Sequence, residues 1–161
     1  MLAPESRLYF SDTVAELSIV MWSQRGDITD AAFLAYLDAH AADVRGVTQV
    51  AILNFSYTFV PTAKGRAAMK AREAELGLSN IKAVALVSSS FLVRGAVQAL
   101  SWAMPGPKTK AYSPGNHGEA LAWLSRFAKF DLLKAHECIG RGAAHVGLDL
   151  DSIKTGQNAA G

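Results

Sequence analysis

Apolar positions along this chain alternate between two rhythms. Short runs rich in β-branched and aromatic residues begin at Leu8–Phe10 and continue with Glu16–Trp22 (ELSIVMW), Val47–Phe55 (VTQVAILNF) and Ile81–Val87 (IKAVALV). Such runs, bounded by turn residues, read as strands. Lys108–Tyr112 reads as a shorter, peripheral one. Between them, apolar residues recur three and four apart, as on one face of a helix. These are Phe33, Leu34, Tyr36, Leu37 and Ala41; then Val93, Ala96, Val97, Leu100 and Met104; then Ala120, Leu121, Trp123, Leu124 and Phe127. The predicted order is β-β-α-β-α-β-α-β-α. Ser11-Asp12-Thr13 is expected to turn the first two strands into a hairpin.

Capping chemistry sharpens the helices. Gly26-Asp27-Ile28-Thr29-Asp30 offers a side-chain cap and early negative charge. Thr62 is placed to cap a helix over 63–76, where Ala67, Ala68, Ala71 and Ala74 allow close approach to a sheet or a partner. Gly77 ends that helix. Ser88 to Ser90 cap the next, and Pro105-Gly106-Pro107 stops it. A helix is expected from about His117 to Lys129, and Asp131–Ile139 is expected to continue or restart it. Gly140–Gly147 is rich in glycine and alanine, and residues 149–161 have no periodic apolar face, as in a frayed tail. The expectation is a single domain over 1–148, including a helical extension after about 130.

Alternating strands and helices with short crossovers imply an α/β fold with a mostly parallel sheet. Half of the 161 residues are hydrophobic and 19% are charged, which suits a compact core. A net charge of +2 makes no strong case for nucleic acid or an anionic membrane. The single cysteine, Cys138, excludes an internal disulfide framework and a multi-cysteine metal site. No apolar run approaches a membrane span, and the first ten residues do not read as a signal peptide, so a cytoplasmic setting is expected.

The segments IKAVALVSSSFLVRGAVQALSWAM (Ile81–Met104) and KTKAYSPGNHGEALAWL (Lys108–Leu124) carry a resemblance. Strand, serine cap and helix, then a short strand and a helix ending in EALAWL, resemble the second half of a SpoIIAA-like member of the STAS family. With the earlier elements the resemblance covers roughly residues 8–130. It implies a STAS/SpoIIAA-like sheet with an N-terminal β-hairpin, and the regulatory protein binding of anti-sigma-factor antagonists. In those proteins the loop before the second helix carries a phosphorylatable Ser or Thr. The matching stretch here is NFSYTFVPTAKG, and Asn54-Phe55-Ser56 is similar to the family's Asp-Leu-Ser. Thr62-Ala63-Lys64-Gly65 stands where the family has Asp-Ser-Ser-Gly, so Thr62 is the nearest hydroxyl. Lipid-binding SEC14 domains are related branches of the fold, which adds a small apolar ligand as an alternative.

Three groups of residues are candidates for function. Ser56, Thr58, Thr62 and Lys64 would form a phosphoacceptor or partner-contact loop. A plain helix cap is the reading favoured for Thr62. Ser88, Ser89, Ser90 and Arg94 stand at a strand end, the edge where open α/β sheets bind ligands, and could hold an anion. Ordinary capping is again favoured, since no Gly-rich phosphate motif accompanies them. Trp102, near a helix end, is the candidate interface anchor. Phe127, Phe130, Leu132 and Leu133 would pack on the domain or cross a second subunit.

His117 with Glu119, and His136 with Glu137 and Cys138, lack the spacing of a metal motif or a catalytic triad. A buried cysteine and surface histidines are favoured there. No cofactor and no enzymatic activity are expected. The leading expectation is a module that binds another protein or its own copy.

Overall fold

In the computed structural model, residues 8–23, 28–56, 62–76, 80–103 and 106–149 are described. The strands are β1 (Tyr9–Val14), β2 (Leu17–Trp22), β3 (Val50–Phe55), β4 (Ile81–Val87) and β5 (Lys108–Tyr112). The helices are α1 (Asp30–Asp43), α2 (Ala63–Leu76), α3 (Phe91–Ala103), α4 (His117–Leu124) and α5 (Leu132–Val146). The sheet runs β1-β2-β3-β4-β5, with β1 antiparallel to β2 and the remaining pairs parallel. This is the expected α/β fold with an N-terminal hairpin and helices packed on a mixed sheet.

The strand order dictates the layers. Each parallel strand lies beside the one before it, so right-handed crossovers place α1, α2 and α3 on one face. The other face is left to α4 and α5. Two apolar clusters match this division. Leu17, Ile19, Met21, Leu53, Phe55, Ala85 and Val87 pack beneath Leu121, Leu124, Cys138 and Ile139. Val20, Trp22 and Ile52 pack beneath Phe33, Tyr36 and Leu37. Every residue of β2 is buried, as a parallel strand covered on both faces should be.

The hairpin turns later than expected. Ser11, Asp12 and Thr13 are strand residues, paired with Val20, Ile19 and Ser18. The reversal is Ala15-Glu16, with Ala15 at φ 52°. β1 is an edge strand and half-buried throughout, so polar residues are tolerated in it. Glu16 also ties the turn to the rest of the molecule. Its carboxylate accepts from the Lys129 backbone N–H (2.7 Å) and from Gln49 Nε2 (2.9 Å). The Lys129 bond, then the Gln49 bond, hold this carboxyl below its usual range.

The C-terminal half also differs from expectation. α4 ends at Leu124 rather than Lys129, and α5 runs through the glycine-rich stretch to Val146. Asp131 caps α5 through Lys134 N–H, and Gly147 ends it at φ 73°. Gly142 permits the close crossing of this helix over β1 and β2. A Cβ there would stand 2.5 Å from Met21 Sδ and 2.6 Å from Phe10 Cδ1. Gly140 faces open space. Phe127 and Phe130 pack against the domain's own core, while Leu132 and Leu133 are exposed.

A polar pair sits inside the α1 face. Ser18 of β2 and His40 of α1 are both buried, with Oγ 3.2 Å from Nδ1. His40 Nε2 is buried without a hydrogen-bond partner. Burial lowers the His40 pKa, against the pull of Asp43.

Two measurements follow from this packing. Gly142→Ala should lower unfolding free energy by about 1–3 kcal/mol through overpacking. Gly140→Ala on the same helix should raise it by up to about 1 kcal/mol. Denaturant titration of the pair separates close approach from helix propensity. For His40 the acid limb is diagnostic. Above its ordinary pKa of 6.5 neither state holds the proton, so stability is insensitive to it. As pH falls below that value the unfolded chain takes a proton that the folded chain resists, and stability declines. Thermal melts from neutral to acid pH should show this decline, and His40→Gln should flatten it.

Candidate functional site

The parallel strands all end at one edge, and each is followed directly by a serine: Ser23, Ser56, Ser88 and Ser113. The ladder register sets Phe55 beside Val87 and Val87 beside Tyr112, so Ser56, Ser88 and Ser113 follow in one row. The backbone continues the ladder one residue further. Ser56 N–H donates to Val87 O (2.9 Å) and Ser88 N–H to Tyr112 O (3.1 Å). Ser23, Ser56 and Ser88 are buried. This carboxyl edge is where open α/β sheets place their ligands.

Ser88, Ser90 and Arg94 come together there. Ser88 Oγ accepts from Ser90 N–H (3.2 Å), and Ser90 Oγ caps α3 by accepting from Val93 N–H (3.2 Å). Arg94 Nη1 donates to Ser88 O (2.6 Å). The guanidinium is therefore held back at the strand end by this bond. Ser89 lies half-buried between the two caps.

Thr62 is the N-cap of α2. Its Oγ1 accepts from Gly65 N–H (3.0 Å) and donates to Asp30 Oδ1 (2.8 Å) at the start of α1. One hydroxyl thus links the first turns of two helices. A phosphate on Thr62 would add about −1.5 to −2 charge against the Asp30 carboxylate. Lys64 is exposed on the same turn. Thr58 and the side chain of Trp102 lie outside the described residues.

Of the α2 alanines singled out in the sequence, Ala68 is half-buried and Ala67, Ala71 and Ala74 are exposed. α2 approaches α1 through Gly65, where a Cβ would stand 3.2 Å from the Phe33 ring, and through the Arg72–Asp38 ion pair at 2.9 Å. Met69 reaches the apolar cluster below. Ala63, Ala67, Ala71 and Ala74 are exposed, with Lys64 and Lys70 beside them.

His117 also belongs to this edge, and it is buried rather than on the surface. Its helix starts directly after β5 and the short turn Pro114–Asn116, which carries the ring over Phe55 at 6.0 Å between centroids. Nδ1 is 3.4 Å from Pro114 O, and exposed His136 stands edge-on at 6.1 Å. Sequence spacing conceals this pair because it spans two helices. Cys138 is buried, and its thiol is pushed up to about 11 by burial, then by Asp12. A thiol so raised is a packing group rather than a nucleophile. Among the described residues, no three His, Cys, Asp or Glu side chains cluster to hold a metal ion, and no helix is long and apolar enough to cross a membrane.

Comparison with protein-family models, with curated proteins and with solved structures gives no match.

The Thr62 link gives a direct test. Thr62→Ala should cost about 1 kcal/mol of stability, the usual value of a lost side-chain cap, and Thr62→Ser should recover most of it. Equilibrium unfolding of the three proteins measures both effects.

Proposed function

We propose that this chain is a non-enzymatic, STAS-like regulatory module of SpoIIAA-like type, which binds another protein or its own copy in a cytoplasmic setting. The contact surface in this reading is the segment from Ser56 to Lys64 together with the outer side of α2. The observation that carries it is the outward row of Ala63, Ala67, Ala71 and Ala74 beside Lys64 and Lys70. Small residues let a partner's backbone approach closely, and the lysines add orientation. The capping roles of Ser90 and Thr62 support binding over chemistry. A general base or nucleophile must be available to a substrate, whereas Ser90 and Thr62 are engaged in capping. The β-β-α-β-α-β-α-β-α order is further support for the STAS-like reading.

The test is association measured by light scattering and pull-down for wild type, Ala67→Glu with Ala71→Glu, Thr62→Glu and Thr62→Ala. The alanine-to-glutamate pair should reduce association at least about ten-fold, as desolvating a charge in an interface core does. Thr62→Glu should weaken it more than Thr62→Ala, which loses the cap without adding charge. Association unchanged in the alanine-to-glutamate pair would sink the assignment of this surface.

A further inference from the structure

The two edges of the sheet, β1 and β5, are finished differently. β5 carries the exposed lysines Lys108 and Lys110. Lysine on an edge strand deters further pairing. β1 has no lysine or proline, and its ladder with β2 runs without a break in register. Its one charged residue is already engaged. Asp12 pairs with Arg141 at 3.1 Å and accepts from the Thr13 N–H at 2.8 Å.

The hydrogen-bond phase of β1 can be read from its first bond. Ser23 N–H donates to Leu8 O (2.8 Å), so Leu8 turns its backbone groups towards β2. Alternation along an antiparallel pair gives Phe10, Asp12 and Val14 the same direction. Tyr9, Ser11 and Thr13 therefore point their N–H and C=O groups away from the sheet. The Thr13 N–H is taken by Asp12. Tyr9 and Ser11 present two donors and two acceptors that meet no backbone partner among the described residues. The Ser11 hydroxyl is likewise buried without a partner.

We propose that β1 pairs antiparallel with β1 of a second copy, across a two-fold axis at Phe10, so that two five-stranded sheets become one continuous sheet. Groups spaced along an edge in this way are satisfied by an extended strand. A second copy offers one with a matching set. In this register Tyr9 of each copy lies opposite Ser11 of the other, and their donors and acceptors are all paired. Thr13 stays with Asp12, whereas an axis at Ser11 would require the Thr13 N–H. Half-buried Phe10, packed beside α5 on each sheet, meets its counterpart at the axis as a close non-hydrogen-bonded pair. Each Asp12 falls opposite Leu8, four residues along the strand from the other Asp12. That sets the two carboxylates about 13 Å apart, beyond the screening length. α5 crosses β1 and β2, so the two α5 helices stand two strand spacings apart. That is about 10 Å, the distance at which helices pack. The inference goes beyond the protein-binding reading, because β1 shares no residue with the α2 surface.

The experiment is amide hydrogen exchange on the full chain over a dilution series, with molar mass followed by light scattering. At high concentration the Tyr9 and Ser11 amides should exchange slowly, and dilution should speed them at least about ten-fold. The Phe10 and Asp12 amides, which face β2, should stay slow throughout. Ser11→Pro removes an outward donor and spares the ladder to β2. It should weaken the dimer at least about ten-fold and leave the Tyr9 amide fast. Ser11→Ala keeps the donor and loses no side-chain bond, so it should dimerise as wild type does. Circular dichroism checks both variants. Ala67→Glu with Ala71→Glu should leave the Tyr9 and Ser11 amides protected, which separates this edge from the α2 surface. Tyr9 and Ser11 amides that are fast at every concentration overturn the proposal. So does protection that dilution leaves unchanged, since the chain would then cover its own edge, or a dimer that Ser11→Pro leaves intact. A monomer that takes up an unrelated extended peptide at β1 would equally overturn it.

Discussion

A parallel sheet must be covered on both faces, and the rest of this molecule is arranged around how far that requirement is met. β2 meets it fully. Leu17, Ile19 and Met21 are buried under α5 and its neighbours, while Val20 and Trp22 are buried under α1. At roughly 25 cal/mol for each Å² of apolar surface removed from water, this strand anchors both clusters. Gly142 permits the close crossing on one side. On the other, Trp22, Phe33 and Tyr36 stack with centroids 5.0–6.2 Å apart. Even the polar Ser18–His40 pair is enclosed there, at a cost expressed in the lowered His40 pKa.

Coverage falls away towards β5. α4 and α5 still protect the Ala85, Val87 and Tyr112 side. On the opposite side, α2 leans on α1 through Gly65 and Arg72, and none of the α3 residues from Phe91 to Ala99 is fully buried. The outward row of α2 and the exposed first turn of α3 therefore share a cause. Three crossover helices cover one face of a sheet whose other face receives only two, and the outer helices of the larger layer are not themselves covered. Surface left in this way suits association, because its side chains are not needed by the domain's own core.

The elements most legible in the sequence were those whose burial agrees with their periodicity. α2, β4 and β5 begin and end where caps and turn residues place them, and Thr62 and Ser90 cap as their positions suggested. Legibility failed where tertiary context overrode a local signal. Ser11-Asp12-Thr13 has turn chemistry, yet an edge strand accepts polar residues because one side of it is open to water. Gly140 and Gly142 weaken helix propensity, yet α5 runs through both, and Gly142 lies at its close crossing of the sheet. The alanines of α2 suggested close approach to a sheet or a partner, and the close approach observed for this helix is that of Gly65 to Phe33 of α1. His117 and His136 meet across two helices, a proximity that spacing along one helix cannot reveal. The serines after β2, β3, β4 and β5 were the missed signal, visible only once the four strand ends are aligned.

That alignment also gives the sheet edge a structural role. A strand that stops leaves backbone groups without ladder partners, and a helix that starts leaves N–H groups unsatisfied. Serine can serve both needs with one short side chain. Ser88 does so in the observed geometry, donating its N–H to the Tyr112 carbonyl, accepting from Ser90 N–H at its hydroxyl and holding Arg94 on its carbonyl. Thr62 does the equivalent between α1 and α2 through Asp30 and Gly65. An edge closed in this way fixes where α2 and α3 begin, and so fixes the position of Lys64, Phe91 and Leu92 at their first turns. The residues most suggestive of a site are then the supports, and the outer sides of α2 and α3 are what those supports hold outward.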